Sequence, residues 1–227
     1  QDQLRTMLFP LKNWVTRKAD ESEVASIAAS LEVSEPFARI LAARGMNDVA
    51  AAKEFLNPRL SDLSDPFSLP GMDTAVNRIW QAVDNREKIT VFGDYDADGV
   101  TSTALMTMVL RAFEADVSHF LPVRLTDGYG MTLAPLKRCI ESHHPGLVVT
   151  VDCGTNSADA VQYAKNSGVD VVVTDHHEPH GEIADAVAVV NPKLCGDSAC
   201  RHLAGVGVAF KLCHALVKDA IRTERPE

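Results

Sequence analysis

Five short apolar segments, separated by stretches with helical periodicity, constrain the fold of this chain more than any other feature. They lie at residues 88–93, 116–122, 146–151, 169–174 and 186–190. Strands that are apolar nearly throughout are typical of a sheet covered on both faces. Parallel neighbours need connections long enough for a helix, and the intervening stretches have that length. The sequence therefore predicts an α/β fold with a mostly parallel sheet and flanking helices.

A different pattern precedes these segments. Residues 22–56 have the spacing of three short helices, and a loop rich in Pro, Ser and Asp follows. We predict a small helical lead-in over residues 1–70 and an α/β domain over residues 71–227. Because no apolar run reaches membrane-spanning length and the first residues lack signal-peptide features, we expect a cytoplasmic protein without a membrane partner.

Charge and cysteine content give weaker indications. The formal net charge of −9 argues, taken alone, against a nucleic-acid surface, but a carboxylate cluster that holds cations would account for part of it. The five cysteines form an odd set, which favours reduced thiols over disulfides. The sequence disfavours zinc, because the one candidate group lacks the paired spacing of a zinc site; this group comprises Cys195, Cys200, His202, Cys213 and His214.

Polar side chains follow the first, third and fourth predicted strands. They are Asp94, Asp96, Asp98, Asp152, Asp175, His176 and His177. The carboxyl ends of parallel strands share one edge, which is where such sheets bind ligands. Crowded carboxylates repel one another unless cations join them, and oxygen ligands with imidazole suit Mn²⁺ or Mg²⁺. This pattern predicts a two-metal site able to activate water and hold a phosphoryl group.

Each of these motifs also has a purely structural explanation. Asp98 directly before a helical stretch is typical of an N-cap, residues 96–99 resemble an ordinary turn, and Asp152 before Gly154 is a common turn residue. For one motif alone the two explanations are about equal. The convergence of three motifs on one sheet edge favours the metal site.

Two neighbouring segments suit a phosphate. Gly99 frees the backbone beside the third carboxylate, and residues 101–103 begin a helix whose amides can meet an anion, which makes Ser102 a candidate substrate contact. Arg124 has the forked geometry that phosphate prefers. From spacing alone, a surface arginine in a loop explains Arg124 equally well.

Five segments in a fixed order resemble a known family. They are "GDYDADGVTSTAL", "RLTDGYG", "VTVDCG", "VVVTDHHEP" and "LAGVGVAFKL". Together they are similar to the DHH phosphoesterase superfamily and, more narrowly, to RecJ-type exonucleases specific for single-stranded DNA. The similarity covers about residues 60–215, and the helical lead-in also resembles the N-terminal region of that group.

This resemblance implies a metal-dependent hydrolase that degrades single-stranded DNA from 5′ to 3′ in DNA repair and recombination. It implies two Mn²⁺ or Mg²⁺ ions as cofactors and a DHH fold. It further implies single-stranded DNA as substrate, with a single-strand-binding protein and a repair helicase as protein partners. We expect a monomer.

The resemblance also implies roles for individual residues. The implied metal ligands are Asp94, Asp96, Asp98, Asp152 and His176. The implied catalytic residues are Asp152, Asp175 and His177. Asp152 would bridge the ions, and His177 would contact the scissile phosphate or orient its neighbours. Arg124, Gly128 and Tyr129 match a segment near the substrate path and join Ser102 as candidate substrate contacts.

The chain also departs from the family pattern. A further metal-binding Asp is expected beyond the "GVGVAF" segment, and this sequence contains no match for it or for the DHHA1 and OB-fold parts. We expect an N-terminal fragment of the catalytic core with weak activity or none of its own. Two alternatives stay open: a DHH-type phosphodiesterase for short oligonucleotides or cyclic dinucleotides, and a non-catalytic DNA-binding relative.

Overall fold

The computed structural model describes residues 15, 17–128, 130–195 and 200–225. The chain divides into two compact units between Leu63 and Ser64. The sequence prediction placed this boundary near residue 70, within the same loop. The functional assignment of the two units stays a prediction.

The first unit is helical. Its helices are α1 (Glu21–Leu31), α2 (Glu35–Ala43), α3 (Val49–Leu56) and a 3₁₀ turn (Leu60–Asp62). Asp20 and Asp48 cap α1 and α3, since their carboxylates accept hydrogen bonds from backbone N–H groups of the first turn. Val24, Ile27 and Leu41 lie in a small apolar core that the three helices enclose. The helices predicted within residues 22–56 are confirmed.

The second unit alternates strands and helices. Its elements are α4 (Met72–Asp84), β1 (Ile89–Phe92), α5 (Ala97–Ala112), β2 (Val117–Phe120), α6 (Arg124–Asp127), α7 (Leu133–His143), β3 (Leu147–Val151), α8 (Ala158–Asn166), β4 (Asp170–Thr174), β5 (Ala188–Val190) and α9 (Gly205–Arg222), with 3₁₀ turns at Pro66–Ser68 and Pro192–Leu194. The strands form one sheet in the order β2-β1-β3-β4-β5, and every pair is parallel. The predicted fold class is confirmed, and each strand lies within its predicted segment.

Helices cover both faces of the sheet. Ile89 and Val91 pack with α4, α5 and α9 on one face, whereas Phe92 packs with α7 and α8 on the other. The neighbouring strands alternate in the same way, as the period of two requires. Because both faces are buried, the strands contain few polar residues until the point where they end.

The direction of the connections reverses between β1 and β3, which are neighbours in the sheet although β2 lies between them in the chain. In doubly wound sheets the crevice at such a reversal, outside the carboxyl ends of the strands, is where ligands bind. The residues just after Phe92 and Val151 therefore lie where this fold is expected to bind a ligand. No helix within the described ranges has both the length and the apolar character needed to cross a bilayer.

Candidate metal centre and active site

Four polar residues form one row across the carboxyl edge of the sheet. The register pairs Phe92 with Thr150, Val151 with Thr174, and Thr174 with Val190. Continuing each register past the strand ends places the following residues side by side: Asp94, Asp152, Asp175 and Asn191. All four are buried, with exposed fractions between 0% and 2%. The sheet thus brings three carboxylates from three separate motifs to one place.

Two carboxylate oxygen atoms in this row accept no hydrogen bond from the residues that the structure describes. Asp94 accepts a hydrogen bond from the Tyr95 amide through Oδ1 at 2.7 Å, but its Oδ2 is buried and accepts none from the described residues. Asp152 Oδ1 is also buried without a hydrogen bond in the described part of the chain. A buried carboxylate oxygen without a partner is costly. A cation is the partner that such oxygen atoms suit best.

The backbone and the charge of Asp152 are both unusual. Its φ of 63° lies in the left-handed region, which Asp tolerates better than most residues. Burial, followed by the neighbouring charges of Asp98 and Asp96, raises the pKa of Asp152 to about 8. Burial likewise raises the pKa of Asp94. Both shifts identify the centre of the row as a buried place where a charged carboxylate is unfavourable.

Asp96 and Asp98 have different partners, although they belong to one motif. Asp96 is the N-cap of α5 and accepts a hydrogen bond from the Gly99 amide at 3.0 Å. Asp98 instead accepts hydrogen bonds from the amides of Gly205 and Val206, at 2.6 and 2.7 Å. The alternative that Asp98 merely caps the helix it precedes is therefore wrong. Asp98 binds the N-terminus of α9, more than a hundred residues away.

Two glycines allow the close approach of backbone to this site. A Cβ on Gly205 would lie 2.3 Å from Asp152 Oδ1, and one on Gly99 would lie 2.4 Å from the carbonyl oxygen of Asp94. Neither space admits a side chain. The N-terminus of α9 therefore lies directly against the Asp152 carboxylate.

The DHH motif places two imidazoles at the same edge. His176 Nε2 lies 3.2 Å from Asp152 Oδ1 and 3.7 Å from Asp98 Oδ2. His177 Nδ1 lies 2.7 Å from Asp175 Oδ1. Burial alone would raise the pKa of Asp175, but the hydrogen bonds from His177 and Thr155 outweigh it and lower that pKa to about 2. The hydrogen bond between the His177 ring and the Asp175 carboxylate also raises the pKa of His177.

The ligand atoms of Asp152, His176 and His177 all lie within 4.8 Å of one another. The described residues contain no second group of three or more His, Cys, Asp or Glu side chains with this spacing. The five cysteines form no disulfide with one another. The structure brings all seven acidic and imidazole residues of the three motifs to one edge, and their individual roles as ligands or catalysts stay predictions.

The candidate substrate contacts lie further apart. Ser102 is fully buried, and its hydroxyl donates to the Asp98 carbonyl, so it supports the turn that carries Asp98 and is not presented to the site. Arg124 is exposed on the single-turn helix α6, which the sequence prediction missed, and its guanidinium lies 5.3 Å from the centre of the Tyr95 ring. Gly128 follows with a φ of 76°. Tyr129 lies outside the described residues.

A cleft of about 620 Å³ opens beside the two imidazoles. Its walls come from the loops after β3 and β4, from the turn after β5 and from the start of α7, and include Thr132, Gly154, Asn156, His177, His180 and Lys193. A space of this size accommodates a nucleotide-sized ligand. The imidazole of His177 therefore faces a cavity and not only the carboxylate row.

Asn191 is the residue of this edge that the sequence reasoning missed. It directly follows β5, just as Asp94, Asp152 and Asp175 follow their strands, and its side chain is fully buried. Its amide nitrogen donates to the His177 carbonyl at 2.9 Å. The signal was present in the sequence, because "VVN" repeats the pattern of an apolar strand followed by a polar residue.

Comparison with known proteins agrees with this geometry. A family model described as the DHH family, N-terminal domain, matches residues 88–226. The chain belongs to the DHH family. The matched region of this DHH protein begins one residue before β1 and includes all the motifs described above.

Curated relatives support a narrower relationship. The DHH chain is 41% identical over 214 residues to the single-stranded-DNA-specific exonuclease RecJ of Bacillus subtilis, covering 94% of this chain and 27% of the relative. It is 39% identical over 191 residues to the protein of the same name from Thermus thermophilus, covering 84% of this chain and 27% of the relative. The chain thus spans little more than a quarter of the length of these relatives.

Solved structures agree as well. A crystal structure of exonuclease RecJ bound to manganese matches with a TM-score of 0.62 and 37% identity over 70% of this chain and 39% of that one. A structure of RecJ from Thermus thermophilus in complex with Mn²⁺ matches with a TM-score of 0.71 and 32% identity, covering 93% of this chain and 29% of that one. The DHH fold of the chain is thus shared with RecJ proteins.

Proposed function

We propose that this chain is part of the catalytic core of a metal-dependent exonuclease that hydrolyses phosphodiester bonds of single-stranded DNA from the 5′ end. The observation that carries the proposal is the row of buried carboxylates after β1, β3 and β4, in which one oxygen atom each of Asp94 and Asp152 accepts no hydrogen bond from the described residues. An imidazole and a nucleotide-sized cleft lie beside it. The names of the RecJ relatives support the substrate class.

The donor set fits divalent cations. Carboxylate oxygens with one imidazole are ligands for Mn²⁺ or Mg²⁺, and the two orphaned oxygens are where a cation would replace a missing hydrogen bond. We propose Asp94, Asp96, Asp152 and His176 as ligands, with Asp152 shared between two ions. Two ions bound there would activate water and offset the charge that develops on the phosphoryl oxygens.

His177 would act on the substrate. Its Nδ1 is held by Asp175, which fixes the ring and raises the pKa of the imidazole. The ring lines the cleft, which places the imidazole where it would donate a proton or a hydrogen bond to a phosphoryl oxygen. Arg124 on the exposed α6 would bind a phosphate further along the strand.

The wider assignment follows the same relatives. We include in the proposal a role in DNA repair and recombination in the cytoplasm, with a single-strand-binding protein and a repair helicase as partners. Of this wider assignment, the relatives' names support the single-stranded DNA. Single strands would be selected by a channel that a duplex cannot enter, with base stacking along it.

The direct test uses the full-length protein with Mn²⁺ and single-stranded DNA labelled at either end. We expect the 5′ label to appear in mononucleotides early, while the 3′ label stays in long fragments. Asp152→Asn should lower the rate more than about 100-fold, because it removes a ligand charge at the reacting phosphate. Asn is preferred to Ala because Asn also tolerates the positive φ of this position.

The matched control is Asp159→Asn on the exposed start of α8, which makes the same charge change away from the site. This variant should keep the wild-type rate. Wild-type activity in Asp152→Asn would refute the site assignment. Cleavage of short oligonucleotides or cyclic dinucleotides without cleavage of long strands would favour the other phosphodiesterase class, and binding without any cleavage would favour a non-catalytic relative.

A further inference from the structure

We propose that Asn191 is a positioning residue that fixes the loop bearing His176 and His177. The structural part of this inference stands on the contacts of Asn191 alone, and its catalytic consequence rests on the proposed function. Neither the motifs nor the comparisons assign a role to this residue. It extends the row of polar residues at the sheet edge to a fourth strand.

The contacts of Asn191 connect three loops. Its Nδ2 donates to the His177 carbonyl at 2.9 Å and to Thr155 Oγ1 at 2.9 Å, and its Oδ1 accepts from the Lys193 amide at 2.9 Å. The loop after β3, the loop after β4 and the turn after β5 thus meet at one side chain. Asn191 and Thr155 are both fully buried, so water does not replace these bonds readily.

Thr155 continues this network to the carboxylate that holds His177. The Thr155 amide donates to Asp175 Oδ2 at 2.9 Å. Asp175 Oδ1 in turn lies 2.7 Å from His177 Nδ1. Asn191 therefore supports His177 twice, at its backbone carbonyl directly and at its ring through Thr155 and Asp175.

The chemistry requires an amide at this position. Two acceptors, a carbonyl and a hydroxyl oxygen, face its nitrogen, and one backbone donor faces its oxygen. Asn supplies both kinds of group on one short side chain. Asp has the same shape and would keep the acceptor but lose both donors, leaving the His177 carbonyl opposite a carboxylate.

A second asparagine, Asn156, also contacts the loop after β4. Asn156 Nδ2 donates to the Glu178 carbonyl at 3.0 Å, and its Oδ1 accepts from the His180 amide at 2.7 Å. Asn156 is exposed, so its bonds compete with water, whereas those of Asn191 do not. We therefore assign the fixation of the imidazoles to Asn191.

The test compares Asn191→Asp and Asn191→Ala with the wild type in the full-length protein. Asn166→Asp is the charge-matched control, because Asn166 is exposed at the end of α8. Three quantities are measured: kcat and KM on single-stranded DNA with Mn²⁺, the thermal midpoint, and hydrogen exchange of the peptide covering residues 170–182. The exchange measurement needs neither metal nor activity.

We expect kcat of Asn191→Asp to fall about 10- to 100-fold, as is typical when a hydrogen-bonding group that orients a functional residue is lost. KM should change less than about twofold, since Asn191 does not contact substrate. Amides of residues 175–180 should exchange faster, while peptides elsewhere in the domain and all peptides of Asn166→Asp keep the wild-type pattern.

Several results would overturn the inference. They are an unchanged exchange rate in residues 175–180, a rise in KM with unchanged kcat, or the loss of folding in both Asn191 variants, which would make the residue a general determinant of stability. A wild type that cleaves no single-stranded DNA would refute the proposed function instead. In that event the exchange data alone would decide the role of Asn191.

Discussion

The first acidic motif shows how residues of one type, two positions apart, acquire different roles. Asp94 lies fully buried in the row, Asp96 caps its own helix, and Asp98 binds the N-terminus of a helix from the far end of the chain. Alternation in the sequence only predicts that the three side chains point in similar directions. Their partners are determined by tertiary structure, so the local sequence pattern does not distinguish a metal ligand from a carboxylate that binds a helix N-terminus.

The contacts of Asp98 predict how its replacement acts. Asp98→Ala should destabilise the domain by about 2–3 kcal/mol, because it removes a carboxylate with two charge-assisted hydrogen bonds at a helix N-terminus. Asp98→Asn keeps one acceptor and should lose about half as much. Calorimetric titration should find the same number of bound Mn²⁺ ions in Asp98→Asn as in the wild type, and one fewer in Asp94→Asn. Loss of an ion in Asp98→Asn would make Asp98 a ligand, as the resemblance implied.

At the scale of elements, sequence patterns predicted the long features and missed the short ones. The five strands and the helices α1–α3, α5, α7 and α8 were predictable, because apolar runs and helical spacing reflect burial against a sheet or a neighbouring helix. The helix α6 has only one turn, which is too short for a periodic signal. The attachment of α9 to Asp98 and Asp152 depends on residues far apart in sequence, and no local pattern contains it.

The start of α9 provides a sharp test of this long-range contact. Gly205→Ala would place a Cβ 2.3 Å from Asp152 Oδ1, so the helix or the carboxylate must move. We expect Mn²⁺ affinity and nuclease rate to fall at least about 10-fold, the usual effect of displacing a group next to a ligand. Calorimetry and a nuclease assay measure both.

Gly207→Ala is the control for helix propensity. A Cβ there would lie 3.1 Å from the flexible side chain of Leu203, which can yield. Alanine also favours a helix by up to about 1 kcal/mol over glycine. Gly207→Ala should therefore keep metal affinity and activity at wild-type levels. Equal behaviour of the two variants would mean that the contact between α9 and Asp152 does not matter.

At the scale of the whole molecule, the fold places carboxylates together at a buried site, where negative charge is unfavourable. Asp94, Asp152 and Asp175 lie side by side at the reversal of the sheet, in a chain whose formal net charge is already −9. Either bound protons or bound cations can relieve this repulsion. Site chemistry and global stability are therefore coupled through pH.

The pKa of Asp152 determines whether stability rises or falls with pH. Thermal melts of the wild type and of Asp152→Asn in EDTA measure this dependence. The Asp152 pKa of about 8 lies above the ordinary 3.8, so the folded state holds the proton more tightly than the unfolded chain between about pH 4 and pH 8. This stabilisation is complete below that window and is lost as the pH rises through it. The melting temperature of the wild type relative to the variant should thus fall by about 5 °C or more from pH 5 to pH 9. Mn²⁺ should abolish the fall, because it binds the deprotonated carboxylate; a difference independent of pH in EDTA would contradict the assigned environment of Asp152.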